Sequence, residues 1–243
     1  MVNILNAIDH GLVILLNAWI GGSVSGFSTA LWVSEHLPWL VAAAVLAALW
    51  FSGEPGAIPT RSGARTRIDN RRLAMMMFAA LLVVLGLCRA IQSTVDRTRP
   101  LAEVGLNVPI DEDGWNSFRN RVGTEGAFPS SSTAVSLVIV VALFAVKRSL
   151  GLVSVVGCLV LSIFCIGVGL SWPTDVLAGA MVGILSGCSA LMLIPLVRRA
   201  LDVILMRFEY DPALMYSVSF LVMFDLSQQF SGLRAALKLI GWA

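Results

Sequence analysis

Six runs of apolar residues follow one another along this chain, covering residues 4–20, 37–51, 73–92, 131–146, 150–170 and 175–197. Runs of this length restrict the fold more than any other feature. A helix needs about 20 residues to cross the hydrocarbon of a bilayer, and lipid offers backbone N–H and C=O groups no partners outside the helix. The expected fold class is therefore all-α, a polytopic membrane helical bundle of about six segments. Only 13% of residues are charged and 57% are hydrophobic, against about 25% charged in soluble domains. A net charge of +2 gives no reason to expect nucleic acid as a partner.

The first run is the weakest, because Asp9 and His10 interrupt it; it either spans or lies at the interface. The same two residues and the lack of basic residues before them argue against a secretory signal peptide. Gly21, Gly22, Ser23, Ser25 and Gly26 should break this first segment, with 27–33 a short amphipathic piece leading to Pro38. Lys147 and Arg148 mark a tight turn, and Arg198 and Arg199 should stop the last long helix. This divides the chain into a membrane domain, 1–200, and a C-terminal extension, 201–243. Within the extension, 213–224 and 233–240 read as short apolar helices, and Phe208, Tyr210, Tyr216, Phe220, Phe224 and Phe230 offer a surface through which a protein partner is expected to dock.

Orientation follows from the arginines. Arg61, Arg65, Arg67, Arg71 and Arg72 crowd the loop 52–72, and Lys147–Arg148 and Arg198–Arg199 fall on the same side, which is expected to be cytoplasmic. The loop 93–129 and residues 171–175 then meet on the outer face. Gly179, Gly183 and Gly187 recur every four residues, a stripe suited to close helix packing inside the bundle. Cys88, Cys158, Cys165 and Cys188 sit singly in apolar runs and read as packing residues, with no metal or cofactor expected.

Three polar pieces stand out against this background. Arg89, Gln92, Asp96 and Arg99 lie at offsets 0, 3, 7 and 10, so they share one helix face running toward the outer surface. Polar and charged groups in a membrane segment default to pairing or function. Ala127-Phe128-Pro129-Ser130-Ser131-Ser132-Thr133 opens a helix, where free N–H groups and the positive helix end favour an anion. Gly167 to Gly179 contains Ser171, Trp172, Pro173, Thr174 and Asp175 at the start of the next helix.

Arg-Pro at 99–100, Phe-Pro-Ser at 128–130 and Pro-Thr-Asp-Val-Leu-Ala-Gly at 173–179, in that order, resemble the type-2 phosphatidic acid phosphatase superfamily, and within it the small bacterial undecaprenyl-diphosphate phosphatase branch. The resemblance covers about residues 9–197. It implies a helical bundle holding a lipid phosphate at the outer face of the bacterial inner membrane, with Arg99, Ser130, Ser131 and Ser132 around the phosphate and Arg89, Arg97 and Arg121 as additional candidates. It also implies an aspartate, Asp175, whose task is to orient a nucleophilic histidine. That histidine is missing. Gln92 stands where the family has lysine, Ser132 where it has the acid histidine, Cys165 where it has arginine, and Ser171 where it has the nucleophile.

A phosphohistidine route needs an imidazole at phosphorus and a second group titrating near neutrality. His10 and His36, the two histidines in the chain, lie far upstream of every motif, so no imidazole is expected at the anion pocket. The expectation is a pseudoenzyme that binds a membrane lipid phosphate or polyprenyl phosphate in a transport, scaffolding or envelope-polysaccharide role. Two alternatives differ in class. One is an active lipid phosphatase or phosphotransferase rebuilt around Ser171, Asp175 and Glu125; the other is a structural subunit of a membrane complex.

Overall fold

The computed structural model describes residues 2–52, 67–95, 97–109 and 126–227. All regular structure among them is helical. The helices are α1 (Val2–Ile20), α2 (Val24–Phe51), α3 (Arg67–Thr94), a single-turn α4 (Pro100–Glu103), α5 (Ser131–Val146), α6 (Arg148–Gly167), α7 (Pro173–Tyr210) and α8 (Pro212–Ser227). Four of them, α2, α3, α6 and α7, are long and apolar enough to cross a membrane, which makes the chain a helical membrane bundle.

The shorter α5 is the centre of the bundle and packs against α2, α3, α6 and α7. Its Ala134, Val135, Val138 and Ala142 meet Leu73, Met77, Leu81 and Val84 of α3 in the main core. The glycine stripe of α7 serves this contact. A Cβ at Gly179 would overlap the carbonyl oxygen of Ser130, and one at Gly183 would overlap that of Ala134. The stripe is therefore internal packing, as its spacing suggested. Helices α5 and α6 are joined through Lys147 alone, the expected tight turn.

Several expected boundaries move. Residues 27–33 and 37–51 are one helix, α2, with Pro38 inside it. Pro38 removes one backbone hydrogen bond, but ending a helix in an apolar setting would orphan several. The break before α2 is confined to Gly21, Gly22 and Ser23, and the Ser23 hydroxyl caps α2 by accepting from Gly26 N at 3.1 Å. Ser25 and Gly26 lie inside α2. At the other end of the chain, Arg198 and Arg199 do not stop α7. It continues past Pro195 to Tyr210, so the division drawn at residue 200 falls within a helix. The residues after Arg199 are good helix formers, and the chain turns only at Asp211–Pro212. At about 1.5 Å per residue α7 is about 57 Å long, well beyond a hydrocarbon core of about 30 Å. Expected features at 53–66, 96, 110–125 and 228–243 lie outside the described residues, among them Arg61, Arg65, Asp96, Arg121, Glu125, Phe230 and the short helix at 233–240.

Helix α1 settles in one place. Asp9, Val13, Asn17 and Ile20 share a face. Their contacts fall on residues 97–109, on Ala127 and on the end of α6 and start of α7. The middle of α6 stays uncovered, with Val153, Val156 and Leu159 exposed. Helix α1 thus lies across one end of the bundle, the end where α3 finishes and α5 and α7 begin.

Candidate anion site at the capped end of the bundle

The three polar pieces of the sequence converge beneath α1. Gly169, with φ of +83°, reverses the chain between α6 and α7, a backbone that suits glycine. Its carbonyl accepts from Leu101 N at 3.0 Å, tying the Arg99-Pro100-Leu101 piece to the third piece. Ser130 N donates to the Asp175 carbonyl at 3.1 Å, tying the second piece to the third. The Ser171 hydroxyl donates to Ser130 Oγ at 3.2 Å, and Ser130 Oγ in turn meets Thr133 Oγ1 at 3.1 Å. Ser130, Thr133 and Ser171 are buried.

Asp175, fully buried at 0% exposure, sits in the first turn of α7. One carboxylate oxygen accepts from Arg97 at 2.5 Å, and the other accepts from Trp172 N at 3.2 Å. Arg97 continues to Asp9 at 3.0 Å and donates to the Thr174 hydroxyl at 2.9 Å. Thr174 donates to Asp9 from its hydroxyl at 2.6 Å and from its backbone N at 3.3 Å. Two carboxylates therefore share one guanidinium at the positive end of α7. Asp9 occupies the place on that helix end where an external anion would bind.

The second helix end is different. Ser130, the residue before α5, makes no side-chain cap to its first turn, and Ser131 and Ser132 are half-buried. First-turn N–H groups have no intrahelical acceptor, so this end keeps the positive local field that favours an anion. Arg99 precedes α4 and lies within electrostatic reach of Cys165.

Three expected roles change. Arg97 is committed to Asp9, Thr174 and Asp175, and is an internal bridge rather than an additional phosphate ligand. Gln92 donates to the Pro129 carbonyl at 2.9 Å and so holds the second piece in position. Ser171 bonds to Ser130 and not to Asp175, so the pair proposed for a rebuilt nucleophile is not formed. Arg89 is half-buried on α3, one turn before Gln92.

The histidine expectation also needs correction. His10 is not remote: its ring packs edge-on against Trp172, with centroids 4.7 Å apart, because α1 folds back over the third piece. His36 stacks on Trp32 at 5.3 Å within α2. Asp9 and Asn17 are the residues that sequence reasoning missed. Asn17 donates to the carbonyls of Gly167 at 3.0 Å and Asn107 at 3.2 Å, and accepts from Asn107 N at 2.8 Å. Both residues had a visible signal, a polar group inside an otherwise apolar helix; Asp9 first read only as weakness of that segment, and Asn17 was passed over.

No family model matches the chain, and no curated protein sequence matches it.

Proposed function

We propose that this chain is a catalytically degenerate relative of the type-2 phosphatidic acid phosphatases, which binds the phosphate of a membrane lipid or polyprenyl carrier and does not hydrolyse it. One observation carries the reading. Both oxygens of Asp175 are already engaged, by Arg97 and by Trp172 N, and Ser171 hydrogen-bonds to another hydroxyl. A serine becomes a nucleophile when an adjacent base takes its proton, and Ser171 has no such base among the described residues. Binding is supported by the uncapped start of α5 at Ser131 and Ser132, to which the Arg99-Pro100-Leu101 piece is joined through Gly169 and Ser171. The apolar helices, the basic residues gathered at the far end and the positive-inside rule support a site facing the periplasm of a bacterial inner membrane. An envelope-polysaccharide, transport or scaffolding task fits a binder of that kind.

His10 favours a second reading, a phosphatase or phosphotransferase with a rebuilt site, because it is an imidazole next to the third piece. It competes poorly, since its ring is packed edge-on against Trp172. The experiment measures two things on the purified protein: retention of a polyprenyl phosphate, and phosphate release from polyprenyl diphosphate and phosphatidate. The expected result is saturable binding, weakened at least tenfold by Arg99→Ala, with no release. Release that disappears in His10→Ala would replace this reading with the second one.

A further inference from the structure

Helix α1 is seated at two points that flank one connection of the bundle. Near its start, the Thr174 hydroxyl donates to Asp9 at 2.6 Å. At its finish, Ile20 lies against Gly167, where a Cβ would overlap its side chain, and the Gly21 carbonyl accepts from Asn107 at 3.0 Å. Gly167 ends α6 and Thr174 is the second residue of α7, so both seats are at the capped end. Asp9 and Ile20 are separated by about 16 Å of helix. In a helix that crossed the membrane, that distance would set them about half a hydrocarbon core apart in depth.

We propose that α1 is a monotopic helix, which lies in the leaflet at the capped end without crossing it and is covered by the acyl chains of that leaflet along Ile8, Leu12, Leu15 and Trp19. The faces that receive α1 show what lies beside it. On α6, Ile163 and Val156 fall on the same face as Gly167 and are exposed; on α7, Leu177 and Met181 follow Thr174 on its face and are exposed too. Both helices are long and apolar enough to cross a membrane, so acyl chains cover these strips up to the points where α1 is seated. The apolar side of α1 continues that surface. Ile8, Leu12, Leu15 and Trp19 recur once per turn, all exposed, on a different side of the helix from Asp9, Val13 and Asn17. The stripe carries no charge, and the polar side chains of α1 are spent on the protein: Asp9 on Arg97 and Thr174, Asn17 on Gly167 and Asn107. Interfacial helices bury such a side at the boundary of headgroups and acyl chains, the depth that tryptophan favours.

The test uses the full chain in sealed phosphatidylcholine vesicles and reads sidedness and depth. An epitope tag fused ahead of α1 and a cysteine at Ala102→Cys are expected to be reachable from one face of the membrane, and Lys147→Cys, at the opposite end of the bundle, from the other, each measured against the unsubstituted chain. An environment-sensitive fluorophore on Leu15→Cys should emit as in hydrocarbon. Nitroxide phospholipids should quench it several-fold more strongly when the nitroxide is near the headgroup than when it is near the chain terminus. The same fluorophore on Val156→Cys, in the middle of α6, should show the reverse order. Leu12→Cys repeats the measurement one turn away, in case Leu15→Cys fails to fold. The proposal is overturned if the tag is reached from the same face as Lys147→Cys, since α1 then crosses. It is also overturned if the fluorophore on α1 emits as in water, if its quenching order matches that of Val156→Cys, or if Leu15→Cys oxidises to a disulfide-linked dimer, since a second copy then covers the stripe.

Discussion

Arg97 and Asp175, 78 residues apart in sequence, meet at 2.5 Å across the junction of α3 and α7. The carboxylate is fully buried and the guanidinium side chain is 30% exposed, so the pair is shielded from water on one side and open on the other. Because Asp9 shares the same guanidinium, removing Arg97 leaves two buried carboxylates facing each other.

Arg97→Ala is therefore expected to be one of the most damaging single changes in the chain. Breaking a buried pair by deleting one partner costs about 3–5 kcal/mol. Thermal unfolding in detergent should show a large loss, and Asp9→Asn in the same background should recover part of it by removing one of the two stranded charges.

Placing an imidazole at position 171 should not by itself create a phosphatase. Ser171→His supplies an imidazole, but both Asp175 oxygens stay bound to Arg97 and Trp172 N, and no residue takes the acid role at Ser132. Phosphate release from polyprenyl diphosphate is expected to stay at background. Turnover by this single variant would mean that the Asp175 cluster rearranges readily.

Gly183→Leu should separate α5 from α7, since even a Cβ there overlaps the Ala134 carbonyl. Overpacking of this kind costs about 1–3 kcal/mol. Because α5 carries Ser130, Ser131 and Ser132 at its start, retention of polyprenyl phosphate should fall along with the unfolding temperature.

Asn17→Leu removes three hydrogen bonds that fasten α1 to Gly167 and Asn107. Each buried partner left unsatisfied costs about 1–3 kcal/mol. Hydrogen exchange should rise in residues 105–109 and in α1, while the main core of α3 and α5 stays protected.

Tyr216→Phe deletes the hydroxyl that receives the Trp50 indole N–H. A net loss of about 1 kcal/mol is expected, expressed locally as faster hydrogen exchange and faster proteolysis of α8, with the melting of the rest of the chain unchanged.

The long apolar runs were legible because lipid leaves helices as the only economical backbone for them. The glycine stripe was legible for a related reason: Gly179, Gly183 and Gly187 share a face whatever they pack against. Arg99, Ser130 and Asp175 could be placed at helix ends by Pro100, Pro129 and Pro173. What the sequence hid was direction and distance. Pro38 looked like a break because propensity is local, whereas the cost of orphaned backbone groups in an apolar setting is larger. Arg198 and Arg199 looked like a stop because charge usually marks the membrane edge, but a helix can leave the bilayer without ending. Most of all, Asp9 and His10 looked isolated, because nothing in the order of residues says that the first helix folds over the α6–α7 turn 165 positions later.

Helix α1 carries its polar side chains inward and its greasy ones outward, with Trp19 left 74% exposed. During synthesis Asp9 emerges long before Arg97 and Thr174 exist to receive it, so the segment cannot adopt its final seat early. That seat is complete only once the start of α7 has been made, since Asp9 takes its partners from Arg97 and Thr174.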